Sequence, residues 1–176
     1  MKGFVTISGI VDAAGKTVST QQAVDYGWIK DRGIKRPNGW GIPREEVPLG
    51  YNLFVDSGRQ LLAYLFGYRT PVSDNVCANF GLGTGLRAPN TMDTDLESPI
   101  AFYNSAPLKP INAVDFPAAF VAQVEYTIAP SEANGYLITE QGLYSGNGTL
   151  LARKTHGAGI NKTSDFGPTL HWRIRF

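Results

Sequence analysis

Nucleophilic catalysis needs a nucleophile, a base and an orienting group brought together. This sequence offers two histidines, His156 and His171, and one thiol, Cys77. Cys77 stands in an apolar run, VCANFGLG, and no GxSxG motif occurs. His171 falls on the outward side of the alternating run TLHWRIRF, with Arg173 and Arg175 beyond it, and reads as a surface histidine. The glycines at 81, 83 and 85 do not make a phosphate loop. A dinucleotide fingerprint is G-x-G-x-x-G opening a helix, whereas here the spacing is shorter and Pro89 follows. They read as a glycine-rich turn at a strand end. Asn90, Asp93 and Asp95 cluster oxygens, but the further ligands and closing glutamate of a calcium loop are missing. They read instead as caps of a short helical turn around Thr91 to Leu96. No cysteine and histidine pattern supports zinc. Glu125 and Glu140 could face each other as a glycosidase pair, yet 15 acidic residues supply such pairs by chance. The expectation is no enzyme, no metal and no cofactor.

Aromatic and arginine side chains carry a different chemistry. They desolvate large areas at small entropic cost and so concentrate at buried interfaces. Tyr26, Trp28, Trp40 and Tyr51 lie in or beside DYGWIKDRGIKRPNGWGIPREEVPLGYN, with Arg32, Arg36 and Arg44 among them. These seven residues are the candidate interface. Local packing is the plain alternative, and stacking on a sugar ranks third.

The elements that must position these groups divide the chain in two. Residues 1–52 lack a clean period, although Phe4, Val5 and Ile7 fit a first strand. This stretch reads as an N-terminal arm or long loop ordered against neighbouring subunits. Its truncation is expected to leave a folded domain that no longer enters particles. Residues 53–176 read as an antiparallel β-sandwich, with a curled antiparallel sheet as the alternative, and one short α-helix near 57–67. Ser57 and Gln60 have capping-box spacing, Leu61, Leu62, Leu65 and Phe66 form one apolar face, and Gly67 suits the end. Strands are expected at VCANFGLG, near Ile100–Asn104 and Ile111–Val114, at AAFVAQVEYTIAP, YLITEQGLYS, TLLARKTH and TLHWRIRF. In the last, Leu170, Trp172, Ile174 and Phe176 point inward and His171, Arg173 and Arg175 outward. Asn134-Gly135 and GNG read as turns.

Composition narrows the function classes. Net charge is +1, with neither a basic excess for nucleic acid nor an acidic tail. Charged residues are 18%, below the roughly 25% of an average domain, which fits a surface partly covered by partners. One cysteine excludes an internal disulfide framework. The N-terminal run MKGFVTISGIVDAAGK is too polar for a signal peptide's core, and no stretch approaches a membrane span.

From FGLGTGLRAPNTMDTDLESPI onward the sequence resembles a recurrent module of tail- and fibre-associated proteins of tailed bacteriophages. The pattern is a GTG turn, a proline, an Asp-Thr-Asp-Leu step, an Asn-Gly turn, Glu140 with Gly142-Leu143, a glycine hairpin, Leu151-Ala152-Arg153, a lysine step and a final alternating strand with Trp172. Helices like DSGRQLLAYLFG also precede the GTG turn in such proteins, so the resemblance spans about 53–176. It implies a virion structural protein, made in the host bacterial cytoplasm, without enzymatic activity. A homo-oligomeric neck, collar, tail or baseplate component attached to other phage structural proteins fits better than a receptor-binding fibre, because the chain stops at Phe176. A capsid decoration protein, or a carbohydrate-binding β-sandwich for a host glycan, is the alternative. Glu140 is expected to pair with Arg153 or Lys162, and the strand to bulge near Gly142.

Overall fold

The computed structural model describes residues 2–29, 42, 46–67, 74 and 76–176. The protein is mostly β and antiparallel throughout. Among the described residues nine strands run β1 (Lys2–Asp12), β2 (Val47–Phe54), β3 (Cys77–Gly83), β4 (Leu108–Pro110), β5 (Ala113–Ala118), β6 (Val121–Thr127), β7 (Leu137–Ser145), β8 (Leu150–Asn161) and β9 (Phe166–Arg175). Two helices accompany them, α1 (Thr20–Asp25) and α2 (Asp56–Gly67).

All nine strands belong to one sheet, in the order β4-β3-β7-β8-β2-β1-β9-β6-β5. Two separate sheets of a sandwich do not form, because β2 pairs with β1 on one side and β8 on the other. The sheet curls instead. Its outermost strands, β4 and β5, are consecutive in sequence and joined by Ile111 and Asn112 alone. The Ile111 N–H donates to the Ala78 carbonyl at 3.0 Å and the Asn112 N–H to the Glu125 carbonyl at 2.8 Å. A two-residue link between opposite edges forces those edges together at this end. The two halves then face each other across one core. Phe80 of β3 lies 4.4 Å from Tyr126 of β6, ring to ring, and the Tyr126 hydroxyl donates to Gln141 of β7. Leu82, Ile138, Leu143, Leu170 and Trp172 complete this buried layer.

The N-terminal region is not an arm over its described length. β1 sits between β2 and β9, with Val5 opposite Trp172 and Phe4 opposite Tyr51. Phe4, Val5 and Ile7 are fully or almost fully buried. Truncation of residues 1–50 would therefore remove a central strand and half of its neighbour β2, and the expected independent domain would lose its core.

A second helix, missed in the sequence, is the short α1. Ser19 accepts from the Gln22 N–H at 3.2 Å while Gln22 Oε1 accepts from the Ser19 N–H at 3.0 Å, a reciprocal capping box. The box expected at Ser57 does not form. The helix already begins at Asp56, and the Ser57 hydroxyl donates to the Leu150 carbonyl of β8 at 2.7 Å. Leu61 is buried and Leu62 half-buried, as the apolar face requires. Ile100–Asn104 is not a strand; it carries only the isolated bridge Tyr103 to Ala106. The stretch around Thr91 forms a turn, not a helical turn. The pairing of β7 with β8 slips between Ile138 and Glu140 and again between Leu143 and Tyr144, and at both places the extra residues lie on β8 rather than on the Gly142 strand expected to bulge.

Candidate functional site

Three constellations deserve a chemical reading. The first joins the motif residues. Glu140 is wholly buried on β7. Its Oε1 accepts from the backbone N–H groups of Gly85 at 3.0 Å and Ser98 at 2.7 Å, and its Oε2 from that of Glu97 at 3.0 Å. Arg153, opposite on β8 and also buried, donates to Oε2 through Nε at 3.0 Å and a terminal nitrogen at 2.7 Å. Its other terminal nitrogen reaches Asp93 Oδ2 at 2.7 Å. Arg87 takes the second Asp93 oxygen, also at 2.7 Å. Burial would raise the Asp93 carboxyl, but the Asn90 N–H, Arg153 and Arg87 hold it below the ordinary range. Burial likewise opposes the Arg153 charge, yet Asp93 and Glu140 keep it above its ordinary value.

This arrangement ties the connector 84–98 to the sheet. Gly83 and Gly85 are required by contact, because a Cβ on either would collide with the Glu140 carboxylate. Every Glu140 oxygen is spent on backbone N–H groups or a guanidinium. Asp93 is spent too, on Asn90, Arg87 and Arg153. Both carboxylates are engaged by the chain's own donors, and the network acts as a brace. Among the described residues no group of three or more metal-ligating side chains gathers.

The second constellation lies on the opposite half of the sheet. Arg173 was expected to face solvent but is 1% exposed. Glu46 covers it, taking Arg173 bonds of 2.6 and 2.8 Å and the Thr6 hydroxyl. His171 bridges Glu46 Oε1 at 2.9 Å and Glu125 Oε2 at 3.1 Å. Burial works to raise the Glu46 carboxyl, but the bonds from Arg173, His171 and Thr6 and the Arg173 charge bring it down to about 2. Here His171 is a structural bridge. Glu125 and Glu140, weighed as a glycosidase pair, stand in separate networks. Lys162 does not join Glu140; its Nζ donates to the carbonyls of Pro130 and Thr163 and to Asn134 Oδ1 at 2.7–3.0 Å.

The third is apolar. The curled sheet opens into an apolar cavity of about 370 Å³. Leu61 and Leu62 of α2, Val114 and Phe116 of β5, and Leu143 and Ile174 are among its walls. Cys77 also lines it, and burial pushes its thiol up to about 12, away from thiolate chemistry. Around this mouth Val76, Val114, Phe116, Phe120 and Phe176 are 47–74% exposed. Phe176 was expected to point inward. The backbone places it at the rim, where its N–H donates to the Phe120 carbonyl at 2.9 Å.

The candidate interface residues divide. Tyr26 is exposed and lies 5.0 Å from Trp28. Trp28 stacks on Phe166 of its own chain, with ring centres 4.6 Å apart and planes 7° apart. One indole face is therefore committed internally. Tyr51 is exposed and meets Phe4 edge to face. Arg32, Arg36, Trp40 and Arg44 lie outside the described residues. Sequence reasoning missed the mouth altogether. Its aromatics come from three separate strands or turns, and nothing local marks them as neighbours. Among the described residues no helix is long and apolar enough to cross a membrane.

Compared with known proteins, the chain matches no family model, no curated sequence and no solved structure at a significant level.

Proposed function

We propose that this chain is a non-enzymatic building block of a tailed-bacteriophage particle, in the neck, collar, tail or baseplate, that works by self-assembly and attachment to other virion proteins. The observation that carries the assembly reading is the apolar mouth. Phe116 and Phe120 are 73% and 74% exposed beside an apolar cavity, and such patches mark interaction surfaces. The buried acids and guanidinium groups of the brace are consumed in holding the fold, which suits a scaffold more than a catalyst. The virion assignment rests on the ordered motif series. Its residues Gly85, Asp93, Glu140 and Arg153 act together in one brace, so the series has a shared physical purpose.

The test is mass by light scattering on the purified chain, alone and then mixed with the other virion proteins. The expected result is a discrete multimer, or incorporation into a particle subcomplex. A chain that neither self-associates nor joins any virion protein would remove the proposal.

A further inference from the structure

The open end of the sheet carries both parts of a self-complementary joint. The hole is the cavity of about 370 Å³, walled by α2, β5 and the ends of β3, β7 and β9. The knobs are Phe116, Phe120 and Phe176, which are 60–74% exposed. Knob and hole lie on one face. A surface that contains its own complement is what a two-fold, isologous contact requires; knobs placed elsewhere would instead build rings or filaments.

Two further observations support an occupied mouth. The exposed side chains of Val76, Val114, Phe116, Phe120 and Phe176 amount to roughly 500 Å². Two copies together would bury on the order of 1,000 Å² before rim and backbone are counted, about the threshold of a specific interface. Phe120 also has a φ of 62° in the β5–β6 turn. A left-handed conformation there is disfavoured for a residue with a side chain, because its Cβ crowds the following carbonyl oxygen. Glycine or asparagine would occupy that turn position more easily. The isolated chain gains little from a phenylalanine that is strained and mostly exposed, whereas a partner would.

We propose that two copies of this chain meet mouth to mouth, Phe116 of each entering the apolar cavity of the other, with Phe120 and Phe176 sealing the rim. This rests on the assembly reading above and names its partner: a second copy. The knob and the cavity wall come from the same strand, β5, so each copy supplies one half of two equivalent contacts. Asp115 and Pro117 on β5 discourage open-ended strand pairing at that edge, which leaves side-chain insertion as the contact.

The experiment is a dilution series followed by light scattering on the full chain. Wild type is expected at twice the chain mass, dissociating on dilution. Phe116→Asp should raise the dissociation constant at least about 30-fold, the scale of a hot-spot residue. Because Phe116 is exposed, its thermal midpoint at low concentration should match that of the dissociated wild type. Phe120→Asn separates the two roles: the dissociated chain should melt higher while association weakens. Met92→Asp, on an exposed apolar residue of the connector, should leave association unchanged. A single-chain mass at every concentration, an assembly of more than two copies, or a dimer that survives Phe116→Asp would each overturn the proposal. A chain that stays single yet joins a particle subcomplex sinks this inference and leaves the assembly reading standing. A chain that does neither removes both.

Discussion

The brace around Glu140 is governed by the cost of burying charge. Glu140 and Arg153 are fully buried and Asp93 nearly so, and each ion loses several kcal/mol of hydration on entering such a site. That loss is offset because each carboxylate oxygen and each Arg153 guanidinium nitrogen has a hydrogen-bond partner. The pair is therefore better at fixing one arrangement than at adding net stability. Removing one member should cost far more than removing both. Glu140→Ala strands Arg153 and three backbone N–H groups, and should lower unfolding free energy by about 3–5 kcal/mol. Urea unfolding of Glu140→Ala, Arg153→Met and the double variant checks this. The double variant should lose clearly less than the sum of the singles. An additive result would mean that the two residues do not act as a unit.

At the scale of elements, β1 and α2 decide whether the sheet closes. β1 supplies Val5 and Ile7 to the core and pairs on both sides. A chain lacking residues 1–12 should show no cooperative thermal transition by circular dichroism, since its removal breaks two ladders and opens the core. α2 approaches β8 closely because position 58 is glycine; a Cβ there would lie 2.8 Å from the Leu151 Cα and the Phe54 ring. Gly58→Ala should lower stability by about 1–3 kcal/mol despite the better helix propensity of alanine, because overpacking outweighs propensity. A raised melting temperature in that variant would contradict the packing described for α2. β3, the strands from β6 onward and α2 were legible in the sequence, since alternation, turn glycines and a one-sided helix are local signals, whereas the strands expected at Ile100–Asn104 and Ile111–Val114 fell on a loop and on the β4–β5 link with the start of β5. α1 was not, because six residues are too few to show a period. The role of Ser57 was misread because the helix begins one residue earlier, at Asp56, which puts Ser57 inside the first turn with its hydroxyl donating to the Leu150 carbonyl.

For the whole molecule, the acid limit of stability follows from Glu46. Its carboxyl falls from 4.5 to about 2 in the folded protein. A depressed folded value means that the unfolded chain binds the proton first. The contribution is thus complete above pH 4.5 and is lost as pH falls toward 2. Asp93, also lowered, acts in the same direction. Unfolding free energy should fall over this window, and Glu46→Gln should flatten the slope there while lowering stability at neutral pH. An unchanged slope would mean that the Glu46–Arg173 contact does not persist in solution.

The amino-acid sequence by itself determined the antiparallel, mostly β character, the hairpin and turn positions, the single amphipathic helix and the absence of a recognisable catalytic motif. It offered Arg153 and Lys162 as partners of Glu140, of which the structure pairs Arg153 alone with it. These are properties of residue type and spacing over short stretches. Only tertiary structure decided that one curled sheet forms where two were expected, that β1 and β2 lie at its centre, and that Arg173 is buried under Glu46. The mouth belongs to the same class. Val76, the Phe116–Phe120 segment and Phe176 are far apart along the chain and become one surface only through the tertiary fold. Such convergence depends on pairings between distant segments, and no window of local sequence contains it.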